Sequence, residues 1–285
     1  MARALEHGWH DGAVKPLSEI RISPLDRGFL FGDGVYEVIP AYGGKPLGLE
    51  EHLRRMTLSL AAIDLPEPCS NDALRSIIEE VITANGGGDQ SIYIQVSRSG
   101  DDGRDHKFPA ANKPSLFLMT SPLSPPTRAR YTEGFAAISL PDDRWQRCDI
   151  KSTSMLANVL ARESATQSGA LEALLERDGF LVEGAASAIG CVIDRRLCLP
   201  PESNAMLPSV TRHLTTSIAA DIGVAVHIAP IAMDDVRTAD ELLLMSSTKE
   251  IAPLTSLDGA PIGTGSPGAI WDALFTAYQE RKGTL

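Results

Sequence analysis

A proline-rich segment, Ser121-Pro122-Leu123-Ser124-Pro125-Pro126, is the feature that most limits how this chain can fold. Prolines stiffen an extended backbone and cannot donate to a β-ladder, so the segment is typical of a linker. The chain has 285 residues, enough for one large domain or two modest ones. We therefore predict a first domain at residues 1–120, a linker at 121–130 and a second domain at 131–285.

Both predicted domains mix helices with short strands. In the first, apolar residues that recur every three or four positions predict helices over 50–64 and 70–84. Arg54 and Arg55 lie off the apolar stripe, which favours solvent exposure for both. In the second, Asp178-Gly179 between two β-rich runs predicts a hairpin. The sequence therefore predicts an α+β protein of two domains with a cleft between them. The other main predicted elements are strands at 35–39, 91–97, 116–120 and 242–246, and helices at 209–222 and 271–278.

The charge balance limits the partners of the chain. The formal net charge is -11 and the sequence pI is about 5.0, which argues against non-specific binding to nucleic acid or to anionic membranes. We find no signal peptide and no apolar run long enough to span a bilayer. The four cysteines lack CxxC spacing and the histidines lack HxxxH spacing, so we expect no metal site. Reduced thiols and a cytoplasmic location are the simplest prediction.

Lys151 stands where a short run enters a helical pattern. Ser152, Thr153 and Ser154 are N-cap candidates, and an apolar stripe begins at Leu156. A lysine held tightly at such a junction can be desolvated, which makes its amine the nucleophile that imine formation requires. Because most lysines are exposed, however, this stretch alone favours an ordinary surface lysine.

Further segments, in order along the chain, accompany the lysine. They are Asp26-Arg27-Gly28, Phe31-Gly32-Asp33-Gly34-Val35-Tyr36-Glu37-Val38, Glu51-His52-Leu53-Arg54-Arg55, Val182-Glu183-Gly184, Leu207-Pro208 with Val210-Thr211-Arg212, and Ser246-Ser247-Thr248. Together they resemble the pyridoxal 5′-phosphate enzymes of fold type IV, the family of D-amino acid and branched-chain aminotransferases and aminodeoxychorismate lyase. The resemblance covers nearly the whole chain. It implies a smaller N-terminal α/β domain, a larger C-terminal pseudo-barrel domain, a homodimer, and pyridoxal 5′-phosphate as cofactor.

The resemblance also implies a role for each part of a cofactor site. Lys151 would hold the cofactor covalently and, once a substrate displaces it, move the proton of the substrate Cα. Glu183 would keep the pyridine nitrogen protonated, and its alternative is a solvated carboxylate at a strand end. The phosphate would lie at a helix N-terminus, where backbone N–H groups and the helix dipole bind anions. The implied contacts with the phosphate and the ring are Arg55, Val210, Thr211, Ser247, Thr248 and Leu207. For Leu207 the alternative is an ordinary core leucine.

A separate anion site is implied for the substrate carboxylate. Arg104 and His106 alternate across Asp105, so both side chains point the same way in an extended segment, and Tyr36 can donate a hydroxyl hydrogen bond. In similar D-amino acid aminotransferases the matching residues hold the carboxylate, and the loop comes from the neighbouring subunit. The alternative, which composition alone favours, is a charged and flexible loop over 101–107.

The implied function is transamination of D-amino acids, of the D-alanine or D-glutamate type, with 2-oxo acids by a ping-pong mechanism. The alternatives within the fold are a branched-chain or other aminotransferase and aminodeoxychorismate lyase. A catalytically weak cofactor-binding protein is the non-enzyme alternative. It rests on Ala185, Ala186 and Ala188, which stand where relatives commonly carry polar residues. Ser209 stands where a glycine is usual, so we expect a slightly reshaped phosphate loop.

Overall fold

The structure, a computed structural model, describes residues 3–100 and 103–284. The chain divides into two compact units. The first unit consists of Met1–Ser124 and Ile150–Met155, and the second of Pro125–Asp149 and Leu156–Leu285. None of the helices in the two described ranges has the length and apolar character that crossing a membrane requires. The same ranges contain no group of three or more His, Cys, Asp or Glu that could hold a metal ion.

One antiparallel sheet with two long helices forms the first unit. Its elements are β1 (His7–His10), β2 (Ala13–Pro16), a 3-10 turn (Leu17–Glu19), α1 (Arg27–Phe31), β3 (Gly34–Tyr42), β4 (Lys45–Pro46), α2 (Leu49–Ala62), α3 (Asn71–Ala84), β5 (Gln90–Arg98) and β6 (Pro114–Pro122). The strand order is β2-β1-β6-β5-β3-β4. The helices predicted over 50–64 and 70–84 are confirmed as α2 and α3.

The core of the first unit follows from two periodicities. The apolar stripes of α2 and α3 are buried, as Leu53 and Leu60 show on α2 and Leu74 and Ile78 on α3. The alternate residues of β5 that include Ile94 are buried against them. Full burial of each such aliphatic side chain contributes about 1.5–3 kcal/mol. This core fixes α2 beside β3, and both elements carry candidate site residues.

A nine-stranded mixed sheet forms the second unit. Its elements are a 3-10 turn (Ala129–Tyr131), β7 (Phe135–Pro141), α4 (Leu156–Gln167), β8 (Glu172–Arg177), β9 (Phe180–Gly184), β10 (Ala188–Ile193), β11 (Arg196–Leu199), α5 (Val210–Asp221), β12 (Val226–Ile228), α6 (Met233–Arg237), β13 (Glu241–Ser246), β14 (Glu250–Leu257), β15 (Ala260–Pro261) and α7 (Ala269–Gly283). The order is β12-β11-β10-β13-β14-β7-β8-β9, with β15 paired to β14. The predicted hairpin at Asp178-Gly179 is confirmed between β8 and β9, with φ angles of 54° and 81°.

The boundary between the units differs from the sequence prediction in two places. Pro122 is the last residue of β6, where a missing N–H costs little, so the strand runs into the predicted 121–130 linker. Ile150–Met155 packs with the first unit, although the prediction placed it in the domain at 131–285. The reason is that Ile150 is buried in the core of the first unit and Ser152 forms a β-bridge with Val35.

Candidate active site

Lys151 is held on both sides of its backbone by the first unit. Its N–H donates to Ser59 Oγ at 3.2 Å, and its C=O accepts a hydrogen bond from the Tyr36 N–H at 2.9 Å. Its Nζ lies 4.2 Å from the centroid of the Tyr36 ring, and the residue is half-buried. A cation over an aromatic face is stabilised by about 0.5–2 kcal/mol. Lys151 is therefore an ordered and partly desolvated amine, and not a mobile surface lysine.

Gly32 allows the lysine segment, Ile150–Met155, to approach the start of β3. This residue ends α1 with a φ of 67°, and a Cβ there would lie 2.5 Å from Ser154 Oγ. The hydroxyls of Thr153 and Ser154 both donate to the Gly32 C=O, at 2.9 and 3.0 Å. Glycine is thus required both for its backbone conformation and for the close contact. The N-cap prediction for residues 152–154 is wrong, because α4 begins only at Leu156. The Thr153 and Ser154 hydroxyls bond the Gly32 carbonyl instead, and the Ser152 hydroxyl accepts the Ser154 N–H.

Arg55 belongs to a buried charge network beside the lysine segment. Its Nε and Nη2 donate to the two carboxylate oxygens of Glu37, each at 2.7 Å. His52 Nδ1 lies 2.7 Å from Glu37 Oε2. The exposed fractions are 0% for Glu37, 1% for His52 and 8% for Arg55. Solvent exposure, which the helical stripe favoured for Arg55, is therefore wrong, because the buried face of α2 carries the Arg55–Glu37 ion pair as well as leucines.

The pairing decides the charge states of this network. Burial alone would raise the pKa of Glu37, but the charge and hydrogen bonds of Arg55, with a smaller effect of His52, lower it to about 2. Burial lowers the pKa of His52, and the hydrogen bond to Glu37 offsets only part of this. At neutral pH the network is therefore an ionised Glu37–Arg55 pair beside a neutral imidazole. A carboxylate only accepts, so the Nδ1 of that imidazole carries the hydrogen.

The predicted carboxylate loop is anchored on Phe31 in the first unit. The guanidinium carbon of Arg104 lies 5.1 Å from the centroid of the Phe31 ring, and the His106 ring centroid lies 5.4 Å from it. Arg27 Nη1 donates to the Asp105 C=O at 2.5 Å and fixes the backbone between them. Both side chains are exposed and share one aromatic neighbour. Residues 101 and 102, which were predicted to be part of a flexible loop, lie outside the described residues.

Glu183 lies at the end of β9 in the second unit and is buried. Arg144 Nη1 donates to its Oε1 at 2.6 Å, and the Leu207 N–H donates to its Oε2 at 3.2 Å. Arg144 is held in turn by Asp142, which accepts from Nε at 2.8 Å and from Nη2 at 3.1 Å, and Asp142 also accepts from Arg177 at 2.7 Å. The solvated alternative for Glu183 is wrong because Arg144 covers it. Leu207 is half-buried and not a fully buried core leucine, and its contact with the cofactor ring stays a prediction.

Arg144 therefore lies between two carboxylates. Burial disfavours its charge, but the hydrogen bonds and charges of Asp142 and Glu183 raise its pKa above the usual value. Burial likewise works against the charge of Asp142, and Arg144 holds the pKa of that carboxyl below its usual range. The chain of paired charges fixes the Glu183 carboxylate in one orientation. Such a carboxylate can hold a protonated ring nitrogen.

The predicted phosphate site lies at the start of α5. Ser209 Oγ accepts a hydrogen bond from the Arg212 N–H at 3.1 Å, which makes Ser209 the N-cap. The amides of Val210 and Thr211, in the first turn, have no carbonyl partner within the helix and lie where the helix dipole is positive. Ser209 has a φ of -90°, which any residue adopts, so a glycine is not needed there.

Ser247 and Thr248 lie in the turn between β13 and β14. The turn is fixed at its end, where the Tyr131 hydroxyl donates to the Lys249 C=O at 2.7 Å. Burial lowers the pKa of Lys249, and the charge of Glu172 offsets only part of this. Lys249 is therefore a second partly desolvated lysine. It directly follows Ser247 and Thr248, whose hydroxyls are predicted to contact the phosphate.

The alanine-rich bend after Glu183 is supported by the polar groups around it. Ser187 Oγ donates to the buried Glu172 at 2.7 Å, and Asn158 Nδ2 donates to the Ala185 C=O at 2.8 Å. A Cβ on Gly184 would lie 2.4 Å from Ser187 Oγ. The bend therefore keeps its shape without the polar residues that relatives commonly carry at 185, 186 and 188.

The predicted residues divide between the two units, and each unit supplies part of what pyridoxal phosphate requires. The first holds a half-buried amine at Lys151 and the second a buried carboxylate at Glu183, and each of these residue types fits a group that this cofactor requires. The first unit holds Tyr36, Arg55, Arg104, His106 and Lys151, and the second holds Glu183, Leu207, Val210, Thr211, Ser247 and Thr248.

Four further residues of the site were not found from the sequence. Glu37 and Ser59 support Arg55 and Lys151, and Asp142 and Arg144 support Glu183. A signal existed for Glu37, because period-two alternation places it on the face of β3 opposite to Tyr36. None existed for Arg144, which is 39 residues from Glu183 in sequence.

Comparison with known proteins identifies similar chains over nearly the whole length. Residues 34–257 match the family described as amino-transferase class IV. The D-alanine aminotransferase of Bacillus licheniformis is 35% identical over 269 residues, which are 94% of this chain and 94% of that protein. The D-alanine aminotransferase of Listeria monocytogenes is 37% identical over 90% of this chain and 89% of its own length.

Solved structures show the same fold. The branched-chain aminotransferase of the archaeon Thermoproteus uzoniensis with norvaline superposes with a TM-score of 0.86 at 24% identity, covering 99% of this chain and 96% of that one. The branched-chain amino acid aminotransferase of Escherichia coli superposes with a TM-score of 0.87 at 22% identity, covering 96% and 93%. The predicted fold type IV architecture is thereby confirmed.

Proposed function

This chain belongs to the class IV aminotransferase family, whose enzymes depend on pyridoxal 5′-phosphate, and we propose that it transfers the amino group of a D-amino acid to a 2-oxo acid. The observation that carries the proposal is the 35–37% identity to D-alanine aminotransferases over about nine tenths of the chain. D-Alanine or D-glutamate would be the donor, and pyruvate or 2-oxoglutarate the acceptor, in a ping-pong cycle.

Each residue of the proposed site would have a separate role. Pyridoxal phosphate supplies an electron sink that allows the Cα–H bond of an amino acid to break. The Lys151 amine, held beside Tyr36, would attach the cofactor and then move the Cα proton. Glu183, fixed by Arg144, would hold the proton on the ring nitrogen. The N-terminus of α5 would bind the phosphate, which lets an acidic protein hold an anion locally.

Substrate recognition would rest on Tyr36 and on the loop anchored at Phe31. Arg104 supplies a fork-shaped donor suited to a carboxylate, and His106 lies against the same ring. A simple α-carboxylate fits this pair, which weighs against aminodeoxychorismate lyase.

A homodimer would complete the arrangement. The α4 face formed by Leu156, Val159 and Leu160 is 72%, 58% and 59% exposed at these positions. Contiguous exposed apolar side chains of this kind typically mark an interface, and a second copy of the chain would cover them. In that assembly the Arg104 loop would serve the lysine of the partner. The cytoplasmic location predicted from reduced thiols stays a prediction.

A second candidate function is branched-chain transamination, the activity named for two solved structures of the same fold. Their identity is below 25%, so they support the fold and not the substrate. A catalytically weak cofactor-binding protein is the remaining alternative.

Two measurements test the proposal. Protein saturated with pyridoxal phosphate is reduced with borohydride and mapped by peptide mass spectrometry. We expect the label on Lys151, and a label on Lys249 would contradict the assignment. D-Alanine, L-leucine and aminodeoxychorismate are then compared by oxo acid or pyruvate release. Turnover of L-leucine in preference to D-alanine would favour the second candidate, and labelled protein without turnover would favour the third.

A further inference from the structure

Glu37 is the most deeply buried charge beside the lysine segment, and stability alone does not account for it. Moving a carboxylate and a guanidinium out of water costs several kcal/mol for each ion, and apolar replacements of similar volume are often as stable or more so. Glu37 is 0% exposed and Arg55 is 8% exposed, so this cost applies in full to Glu37 and nearly so to Arg55. A buried pair of this kind calls for a role in orienting one of its members.

The geometry indicates which member is oriented. Two parallel hydrogen bonds of 2.7 Å join the Nε–Nη2 edge of Arg55 to Glu37, which fixes both the position and the plane of the guanidinium. His52, one turn earlier on α2, holds the same carboxylate at 2.7 Å and prevents it from rotating. Two residues of α2 therefore fix the Glu37 carboxylate, and this carboxylate orients the guanidinium of Arg55.

The same elements hold the lysine. Ser59, one turn after Arg55 on α2, accepts the Lys151 N–H at 3.2 Å, and Tyr36, the neighbour of Glu37 on β3, lies against the Lys151 amine. The same two elements, α2 and β3, thus hold both the oriented guanidinium of Arg55 and the lysine.

We propose that Glu37 is a positioning residue that acts through Arg55: it holds the guanidinium in the orientation that receives the phosphate of the cofactor. The proposal rests on the proposed function, since it presupposes cofactor binding. Both carboxylate oxygens of Glu37 are bonded to Arg55 and His52, so Glu37 would act only through the guanidinium. Its loss therefore weakens recognition of the phosphate group and leaves recognition of the ring and attachment to Lys151 intact.

The test compares two probes, pyridoxal 5′-phosphate and pyridoxal, which lacks the phosphate. Their Kd values are measured by absorbance titration for the wild-type protein and for Glu37→Gln. We expect the Kd of pyridoxal phosphate to rise ~10- to 100-fold, the worth of a charge-assisted hydrogen bond, with little change for pyridoxal. Equal weakening of both probes would show a merely structural role and overturn the proposal, as would no change in either.

Substitutions of Arg55 itself show whether the effect passes through this residue. Arg55→Lys keeps the charge but loses the two-point attachment, so its phosphate selectivity should fall as in Glu37→Gln. In the Arg55→Met background, adding Glu37→Gln should change the ratio of the two Kd values no further. A further loss there would mean that Glu37 acts by another route. Arg55→Lys also serves as the test should Glu37→Gln fail to fold.

A matched control separates stability from positioning. Glu241 accepts the N–H groups of Ile270 and Trp271 at 2.9 and 2.7 Å in the second unit, at the other end of β13 from the predicted phosphate turn. Glu241→Gln should lower the melting temperature without altering the ratio of the two Kd values. If it alters that ratio as much as Glu37→Gln does, the proposal fails. A wild-type protein that binds neither probe would instead refute the proposed function.

Discussion

Replacing Arg144 with methionine should destabilise the protein more than any single loss of a surface ion pair. Methionine keeps the apolar stem and removes the five donors of the guanidinium. The side chains involved are 7% exposed for Arg144, 0% for Asp142 and 8% for Glu183. Breaking such a buried pair costs about 3–5 kcal/mol. Because Asp142 keeps Arg177 and Glu183 keeps the Leu207 N–H, we expect the lower end, about 3 kcal/mol.

Arg177→Met is the matched control for this prediction. Arg177 also donates to Asp142, at 2.7 Å, but its side chain is 28% exposed, so its loss should cost about 1 kcal/mol or less. Urea unfolding followed by circular dichroism gives both free energies of unfolding. If Arg144→Met costs no more than Arg177→Met, Arg144 does not hold the two carboxylates together.

The pH dependence provides a second check on Arg144. The pKa of Asp142 lies below its usual value in the folded protein, so the stability linked to its charge is present above that usual value. This stability is lost as the pH falls through the folded pKa. The difference between wild type and Arg144→Met should therefore shrink as the pH falls below 3.8, the usual pKa of an aspartate. A difference that stays constant below that pH would show that packing, and not charge, is what the methionine changes.

Three further outcomes are expected. Glu183→Gln should keep the cofactor bound but slow single-turnover proton removal by at least ~10²-fold, because an amide cannot keep the ring nitrogen protonated, and unchanged kinetics would assign that task to another group. Arg104→Ala should chiefly raise the KM for D-alanine, and Lys151→Ala should abolish turnover. Mixing the two variants under conditions that exchange subunits should restore activity if the Arg104 loop acts on the partner subunit. Hybrid dimers without activity would show that the loop serves its own chain. The pKa of Glu37 is about 2, against a usual 4.5, so its ionised carboxylate should add about 3 kcal/mol to the free energy of unfolding above pH 4.5. This contribution should be lost as the pH falls toward 2. An acid-unfolding profile of Glu37→Gln identical to that of wild type would contradict this.

Local patterns were sufficient for most of the elements. The apolar spacing on α2 and α3, the Asp178-Gly179 turn and the helix behind Ser209 are set by interactions within a few residues, so they can be read from sequence. The same local logic failed at Thr153 and Ser154, whose hydroxyls have a tertiary partner in the Gly32 carbonyl.

The sequence by itself determined the mixture of helices and strands and the order of these elements. Through segments that resemble the family, it also determined the residues from which a cofactor site can be built. Only the tertiary structure decided which groups support them. Glu37 meets Arg55 across 18 residues, Arg144 meets Glu183 across 39, and Ser59 meets Lys151 across 92. A helical or strand period states which face of an element a side chain occupies, but not what that face meets. The partner is chosen by packing, which brings distant segments together, and buried charges then have to be paired wherever packing places them.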